Sequence, residues 1–289
     1  MFRSTGGRKP EFSRTHLKPS RLNYPLGPTK DRVLIQASAT LEGNGPTLYR
    51  GRKGLVVAAQ VCVWYLRGMA RAENICGVVL AAGFSTRMGR DKALLPWPPV
   101  AEGTPAVNTF LGSWIDMLQF ETELIIVVVG HNAPQLEAVV YGHGAFLVHN
   151  QAPERGQFSS IQAGVQDVLS RGRDAAMIVP VDRPPVVPGT IRQLKHAFLA
   201  SGVETWAVVP EYSSGERVIH GHPIVLGREM IEAFLRAPSD ATARDVEHQH
   251  PEHIRYLPID DPRVALNIDT PEDYERLRSA NLITTETAF

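Results

Sequence analysis

The chain has 289 residues, 43% of them hydrophobic and 21% charged, a balance that excludes a collagen, a coiled coil or a wholly disordered chain. Two cysteines, Cys62 and Cys76, are too few for a disulfide framework or a four-thiolate zinc centre, so a reducing, cytoplasmic setting is the expectation. The formal net charge of zero joins two opposed parts: residues 1–71 hold 13 Lys and Arg against three acids, a net +10, and the remainder carries −10. An acidic body lacks the basic face that sequence-independent binding to nucleic acid requires, so no nucleic-acid partner is expected for it.

Residues 1–53 are rich in Gly, Pro, Arg and Ser without a sustained period of 2 or 3.6. Such a stretch buries too little apolar surface to offset its ordering entropy, which predicts disorder. A basic arm for nucleic acid or an anionic surface, and a segment that is not native coding sequence, are the alternatives. Residues 54–66 are apolar but interrupted by Gln60, and fall short of the ~20 residues a spanning helix needs. A docked helix at 54–67 is the alternative there, and no membrane span is expected. Met69 lies six residues before the first strong strand, so the chain divides into a basic extension, 1–68, and a folded domain, 69–289.

From residue 75 the pattern changes. Short runs rich in Val and Ile at 75–82, 124–129, 145–148, 175–181 and 206–209 are apolar on consecutive positions, as strands covered on both faces should be. Amphipathic stretches alternate with them at 104–119, where Thr104-Pro105 reads as a cap followed by a first-turn proline, and at 159–169 and 188–199. This alternation predicts an α/β fold with a mostly parallel sheet and right-handed crossovers. After Pro210 come a loop at 212–217, a strand at 222–226, helices near 228–235 and 241–248, and a strand at 254–258. A last helix at 271–280 starts with Thr270 as its cap and Pro271 in its first turn.

Ligands of open parallel sheets gather at the carboxyl ends of the strands, and three segments leave such ends with polar content. Leu80-Ala-Ala-Gly-Phe-Ser-Thr-Arg-Met-Gly-Arg-Asp-Lys92 runs from a strand through small residues to two cations, Arg87 and Lys92. Small residues let backbone N–H groups approach an anion, and the cations suit a polyphosphate; the alternative is a plain strand-to-helix turn. The spacing fits neither a P-loop nor G-x-G-x-x-G. Asp182 follows the run Ile178-Val-Pro-Val, and Asp269 follows Leu266-Asn-Ile; each could merely cap a turn or a helix. Together, opposite a cationic loop, they suit Mg²⁺, which favours one or two carboxylates plus phosphate oxygens. His248, His250 and His253 lie on a polar, proline-interrupted stretch that reads as a solvated loop in preference to a zinc site.

Residues 80–92 resemble the L-A-A-G-x-S-x-R-M-G-x-x-K signature of the molybdenum-cofactor nucleotidyltransferase-like family, and most closely its cytidylyltransferase branch. Gly156-Gln-Phe-Ser-Ser-Ile-Gln-Ala-Gly164, Pro180-Val-Asp-Arg-Pro184, Gly221-His-Pro223 and Asn267-Ile-Asp-Thr-Pro-Glu-Asp-Tyr274 agree with it in order, so the resemblance covers roughly residues 75–280. It implies a three-layer, Rossmann-like nucleotidyltransferase fold. It further implies Leu80, Ala81, Ala82 and Gly83 along the nucleotide and Arg87 and Lys92 on the triphosphate. Ser159 and Ser160 would hold base and ribose, Asp182 and Asp269 a Mg²⁺ ion, and Gly221, His222 and Pro223 would face the acceptor. Phe158 and His220 depart from the family pattern, where Met and Arg are usual; the second departure bears on the acceptor phosphate.

The implied reaction moves a nucleoside monophosphate from an NTP to a phosphorylated acceptor such as molybdopterin, releasing pyrophosphate, with a molybdoenzyme maturation partner also among the family's associations. Ala82, where related guanylyltransferases read L-A-G-G, favours CTP over GTP. A guanylyltransferase or sugar-phosphate enzyme on the same scaffold, and a nucleotide-binding regulatory module without turnover, are the competing expectations.

Overall fold

Strands with no polar face need cover on both sides, and the computed structural model, which describes residues 48–50, 56–58, 74–101 and 103–280, supplies it with helices on the two faces of one sheet. The chain divides into two units, Met1–Val63 and Trp64–Phe289. In the first, β1 (Leu48–Arg50) pairs antiparallel with β2 (Val56–Ala58), Tyr49 opposite Val57. Residues 56–58 are therefore extended and not part of a helix at 54–67, in keeping with two β-branched valines. The expectations for the rest of 1–68, disorder included, lie outside the described residues.

The second unit runs in order β3 (Ile75–Leu80), β4 (Pro96–Trp97), β5 (Asn108–Thr109), α1 (Phe110–Gln119), β6 (Leu124–Val129), α2 (Ala133–Gly142), β7 (Phe146–His149), α3 (Gln157–Ser170) and β8 (Ala175–Pro180). It continues with α4 (Pro188–Leu199), β9 (Ala207–Ser214), β10 (Arg217–His220), β11 (Ile224–Gly227), α5 (Arg228–Arg236), α6 (Ala243–Gln249), β12 (Ile254–Pro258) and α7 (Pro271–Ser279). The eight-stranded sheet has the order β10-β9-β11-β8-β3-β6-β7, with β12 also paired to β9. Strands β8, β3, β6 and β7 are parallel neighbours, as are β9 and β12, while β11 is antiparallel to both β8 and β9.

Alternation along the central strands divides the core in two. Ile75, Val79, Ile125, Val127, Met177 and Val179 pack against α1, α2, α4 and α7. Cys76, Val78, Leu80, Ile126, Val128 and Ile178 pack against α3, α5 and α6. Fully burying each such side chain contributes roughly 1.5–3 kcal/mol, which is why the runs read as apolar at every position. Cys76 is one of these buried residues, and burial pushes its thiol up to about 11.

Two expectations need correction. The helix expected at 104–119 begins at Phe110: Thr109, not Thr104, is the cap, and its hydroxyl accepts the Gly112 N–H at 3.0 Å. The preceding residues are taken by the short β4–β5 ladder, in which Trp97 opposes Asn108. The loop expected at 212–217 is a hairpin, since β9 continues to Ser214 and turns through Gly215 into β10. Helix α2 carries little sequence signal, burying only Ala133, Leu136 and Val140.

Candidate active site

Strand β3 marks the point where the topology reverses. The chain passes from β3 outward through β6 to β7, then crosses back to lay β8 on the other side of β3. Leu80 sits opposite both Val128 and Pro180, so the three strands end level and their loops part around a crevice. A cavity of about 350 Å³ fills it, lined by Leu80, Ala82, Gly83, Lys92, Ser160 and Asp182 among others.

The loop after β3 is held from several directions. Ser85 adopts a positive φ of 49°, and its hydroxyl accepts the Lys92 N–H at 3.1 Å. Asp91 accepts the Ala93 N–H at 2.9 Å and the Asn132 amide at 2.6 Å, while the same amide donates to the Ala81 carbonyl at 2.8 Å. These contacts fix the short 3₁₀ turn Lys92–Leu94 and bury the Lys92 side chain.

A buried ammonium needs a counter-charge, and Lys92 has two. Its Nζ donates to Asp269 Oδ1 at 2.6 Å and lies 3.9 Å from Asp182 Oδ2; the exposed Arg87 reaches Asp269 Oδ1 at 3.1 Å. The two carboxyls diverge in acidity. Burial pushes Asp182 above the usual carboxylate range despite Lys92 and Arg183. Burial also acts on Asp269, but the Lys92 hydrogen bond and the charges of Lys92 and Arg87 outweigh it and hold the group low. Asp269 does not cap α7: Thr270 does, in a reciprocal pair with Asp273, which also accepts the Asp269 N–H at 2.9 Å. The Asp269 carboxylate is thereby left to the cations and to the Asn267 amide at 2.6 Å.

A strap over residues 261–269 gathers the remaining parts. Buried Asp261 anchors it by accepting from the Val187 N–H at 2.9 Å and the Thr190 hydroxyl at 3.0 Å. Ile268 N–H donates to the Asp182 carbonyl at 2.8 Å, and His222 N–H to the Val264 carbonyl at 3.1 Å. His220 at the end of β10 opposes Glu211 and Val225 in β11 opposes Val208, so the four residues between them face two on β9, and Gly221-His222-Pro223 bulges from the ladder. A Cβ on Gly221 would stand 2.0 Å from the Val264 carbonyl oxygen, so only glycine fits beneath the strap. His222 is half-buried with its Nδ1 closed off and without a hydrogen-bond partner, and burial together with Arg183 pushes its pKa down to about 3. Gly221 and Pro223 are buried.

The structure thus brings Leu80, Ala82, Gly83, Ser160, Lys92 and Asp182 to one cavity, with Asp269 and Arg87 joined to it through Lys92 and with Gly221, His222 and Pro223 outside its wall. Two expected nucleotide contacts turn away. Ala81 is buried, its N–H given to the Val128 carbonyl at 2.8 Å and its own carbonyl to Asn132. Ser159 is buried too, donating to the Gly156 carbonyl at 2.7 Å, because residues pointing alternately along a strand end or a helix turn cannot all face one ligand. Sequence reasoning missed Asn150, whose amide donates to Ser159 Oγ at 2.8 Å and Ser160 Oγ at 2.9 Å while its carbonyl oxygen accepts the Ala152 N–H at 2.9 Å. Its position at a strand end, like that of Asp182, was the available signal. Gly156, with φ 90°, and Gln157 complete that wall.

Among the described residues no group of three or more His, Cys, Asp or Glu is arranged to hold a metal. His253 instead stacks on Trp206, with centroids 3.9 Å apart and planes 6° from parallel, and His250 packs beside it. The two carboxylates around Lys92 are a donor set that suits an ion completing its shell from phosphate and water.

The family model of the MobA-like NTP transferase domain matches residues 77–254. The chain belongs to this family. The match takes in the loop after β3, Asp182 and the Gly221–Pro223 bulge, and ends before Asp269. The chain is 28% identical over 211 residues to a probable molybdenum cofactor guanylyltransferase of Rhodopirellula baltica, covering 71% of this chain and 92% of that protein. It is 26% identical over 203 residues to the molybdenum cofactor cytidylyltransferase of Escherichia coli, covering 68% and 92%. The crystal structure of Rv0371c from Mycobacterium tuberculosis superposes with a TM-score of 0.59 at 29% identity, covering 72% of this chain and 98% of that one; a structure of Rv0371c in complex with manganese gives 0.54 at 27%, covering 72% and 99%. As a MobA-like NTP transferase the chain is a nucleotidyltransferase on a mostly parallel α/β sheet. No helix among the described residues is long and apolar enough to cross a membrane.

Proposed function

We propose that the chain acts in molybdenum cofactor biosynthesis, transferring a nucleoside monophosphate from CTP to the terminal phosphate of molybdopterin and releasing pyrophosphate. The observation that carries this is Lys92, buried between Asp269 and Asp182 at the mouth of the crevice beside β3. That arrangement suits two anions meeting, which both relatives' named reactions would need. The guanylyltransferase and cytidylyltransferase names among the relatives leave the base to be chosen on the residues, and Ala82, buried in the cavity wall, is the residue that favours the smaller pyrimidine.

In this reading the acceptor phosphate is already ionised at neutral pH, so its oxygen attacks the α-phosphorus without a general base, and the bond to pyrophosphate breaks in line. Lys92 and Arg87 oppose the charge that accumulates on the transferring phosphoryl group. Ser160, held by Asn150, and the backbone around Gly156 and Gly83 orient the nucleotide, which converts the encounter of two anions into an effectively unimolecular step. His222, neutral under physiological conditions, offers the acceptor hydrogen bonding without charge. Asp182 and Asp269 would hold Mg²⁺, which supplies charge neutralisation at the phosphates when bound.

The domain at 69–289 carries the activity by itself in this proposal, and a protein lacking residues 1–68 should transfer nucleotide at the full-length rate; a soluble truncation without activity overturns that division. Labelled CTP, GTP and ATP, each offered with molybdopterin and with sugar and methylerythritol phosphates, test the reaction. Pyrophosphate release greatest with CTP and molybdopterin is expected. Greatest release with GTP overturns the cytidine assignment, and release with none supports a binding module instead.

A further inference from the structure

The phosphate of the proposed acceptor must be held close to two carboxylates, and Lys92 and Arg87, both paired with Asp269, are already assigned to the transferring phosphoryl group. Arg183 is not. It follows Asp182 directly, is half-buried, and lies within electrostatic reach of both Asp182 and Asp269, yet makes no ion pair among the described residues. Nearby, Arg263 pairs with Asp261 at 3.2 Å, and Arg90 lies over the Tyr274 ring, 5.6 Å from its centroid.

The side chain is also oriented. Arg183 Nη1 donates to the Leu266 carbonyl at 2.8 Å, and the Arg183 carbonyl accepts the Trp114 indole N–H at 2.9 Å. His222, whose N–H is fixed to Val264, hangs from the same strap and feels the Arg183 charge. Arg183 Nε is closed to water and has no partner, and neither does His222 Nδ1. With Nη1 engaged and Nε closed off, Nη2 is the nitrogen left to donate a charge-assisted hydrogen bond to an oxyanion. A half-buried cation without a counter-ion is costly, and a phosphate dianion removes that cost.

We propose that Arg183, with His222 beside it, forms the subsite for the phosphate monoester of the acceptor, Nη2 meeting a phosphate oxygen. The subsite rests on the proposed transfer to a phosphorylated acceptor, and the bulge at Gly221–Pro223 is what brings His222 to it.

The test uses the full chain as wild type, Arg183→Met and Arg183→Lys. Rates are measured against molybdopterin at saturating nucleotide, and nucleotide Kd is measured without acceptor. Arg183→Met should raise the KM for molybdopterin on the order of 10–100-fold, a loss typical of a charge-assisted hydrogen bond, and leave nucleotide Kd within about twofold. Arg183→Lys, keeping the charge and losing the planar guanidinium that Leu266 orients, should recover part of the KM; should Arg183→Met fail to fold, a roughly 3–10-fold rise in Arg183→Lys carries the test. An unchanged KM, a loss confined to kcat, or an equal weakening of nucleotide binding overturns the subsite. If wild type does not use molybdopterin at all, the proposed reaction fails first, and inorganic phosphate titrated into the nucleotide-loaded chain and followed by phosphorus NMR decides the subsite separately. Phosphate binding that is lost in both variants supports it; binding that persists in them, or is absent from wild type, overturns it.

Discussion

Lys92 and Asp269, 177 positions apart in the chain, meet at 2.6 Å, and this contact closes the crevice at the end of the central strand. One end is held by Ser85 and the 3₁₀ turn at Lys92–Leu94, the other by the Asp273 cap, which spares the Asp269 carboxylate from the helix end and leaves it to Lys92, Arg87 and Asn267. The contact therefore reports on the whole site.

Asp182→Asn and Asp269→Asn should each lower kcat by at least ~100-fold, the range seen when one electrostatic group is removed from a preorganised site. Circular dichroism and thermal unfolding should show the fold retained, because neither carboxylate supports secondary structure. If either variant keeps wild-type kcat at saturating Mg²⁺, that aspartate has no part in metal binding.

Ala82→Gly should relax the preference for CTP over GTP without abolishing activity. Ala82 is buried in the wall of the cavity, and its Cβ is the group there that a glycine lacks. One methyl in a specificity pocket changes kcat/KM by roughly 10–200-fold, and the low end is expected because a purine must also be accommodated elsewhere. Measuring kcat/KM for both nucleotides in both proteins checks it; an unmoved ratio shifts base selection to Gly156–Ser160.

Asn150→Ala removes three hydrogen bonds at once, to Ser159, Ser160 and the Ala152 N–H. Leaving buried partners unsatisfied costs about 1–3 kcal/mol, so the variant should melt lower and bind nucleotide more weakly. A lower Tm with unchanged nucleotide Kd would show that Asn150 supports the loop without shaping the base pocket.

Glu247 gives the fold a pH dependence away from the crevice. Burial, only partly offset by Arg244, raises its pKa from 4.5 to about 6. The unfolded chain therefore ionises first, and this group's contribution to stability is intact below pH 4.5 and is lost as pH rises through 6. Glu247→Gln should then gain on the order of 2 kcal/mol at pH 7 and almost nothing at pH 4, since each tenfold change in a proton's binding constant corresponds to about 1.4 kcal/mol. Urea unfolding of both proteins at the two pH values measures the difference, and equal gains at both would assign it to packing.

The sequence by itself determined the layered α/β plan, because strands buried on both faces must be apolar at consecutive positions and their covering helices must carry a stripe. It also marked the loop from Leu80 to Lys92 and the acids Asp182 and Asp269, since polar groups at strand ends have no packing reason to be there. What it did not hold was every choice made by contacts distant along the chain. Thr109 became the helix cap because β4 claimed the residues before it. Ala81 and Ser159 turned inward because the Val128 and Gly156 carbonyls and the Asn132 side-chain amide took their hydrogen bonds. Asn150 gained its role only when β7 was laid beside α3, and Arg183 found a partner for its Nη1, and Lys92 met Asp269, only when the strap at 261–269 was laid beside them. Periodicity is a local property and survives in the sequence; the pairing of charges and the satisfaction of buried polar groups depend on which distant segments meet, and only the tertiary structure decides that.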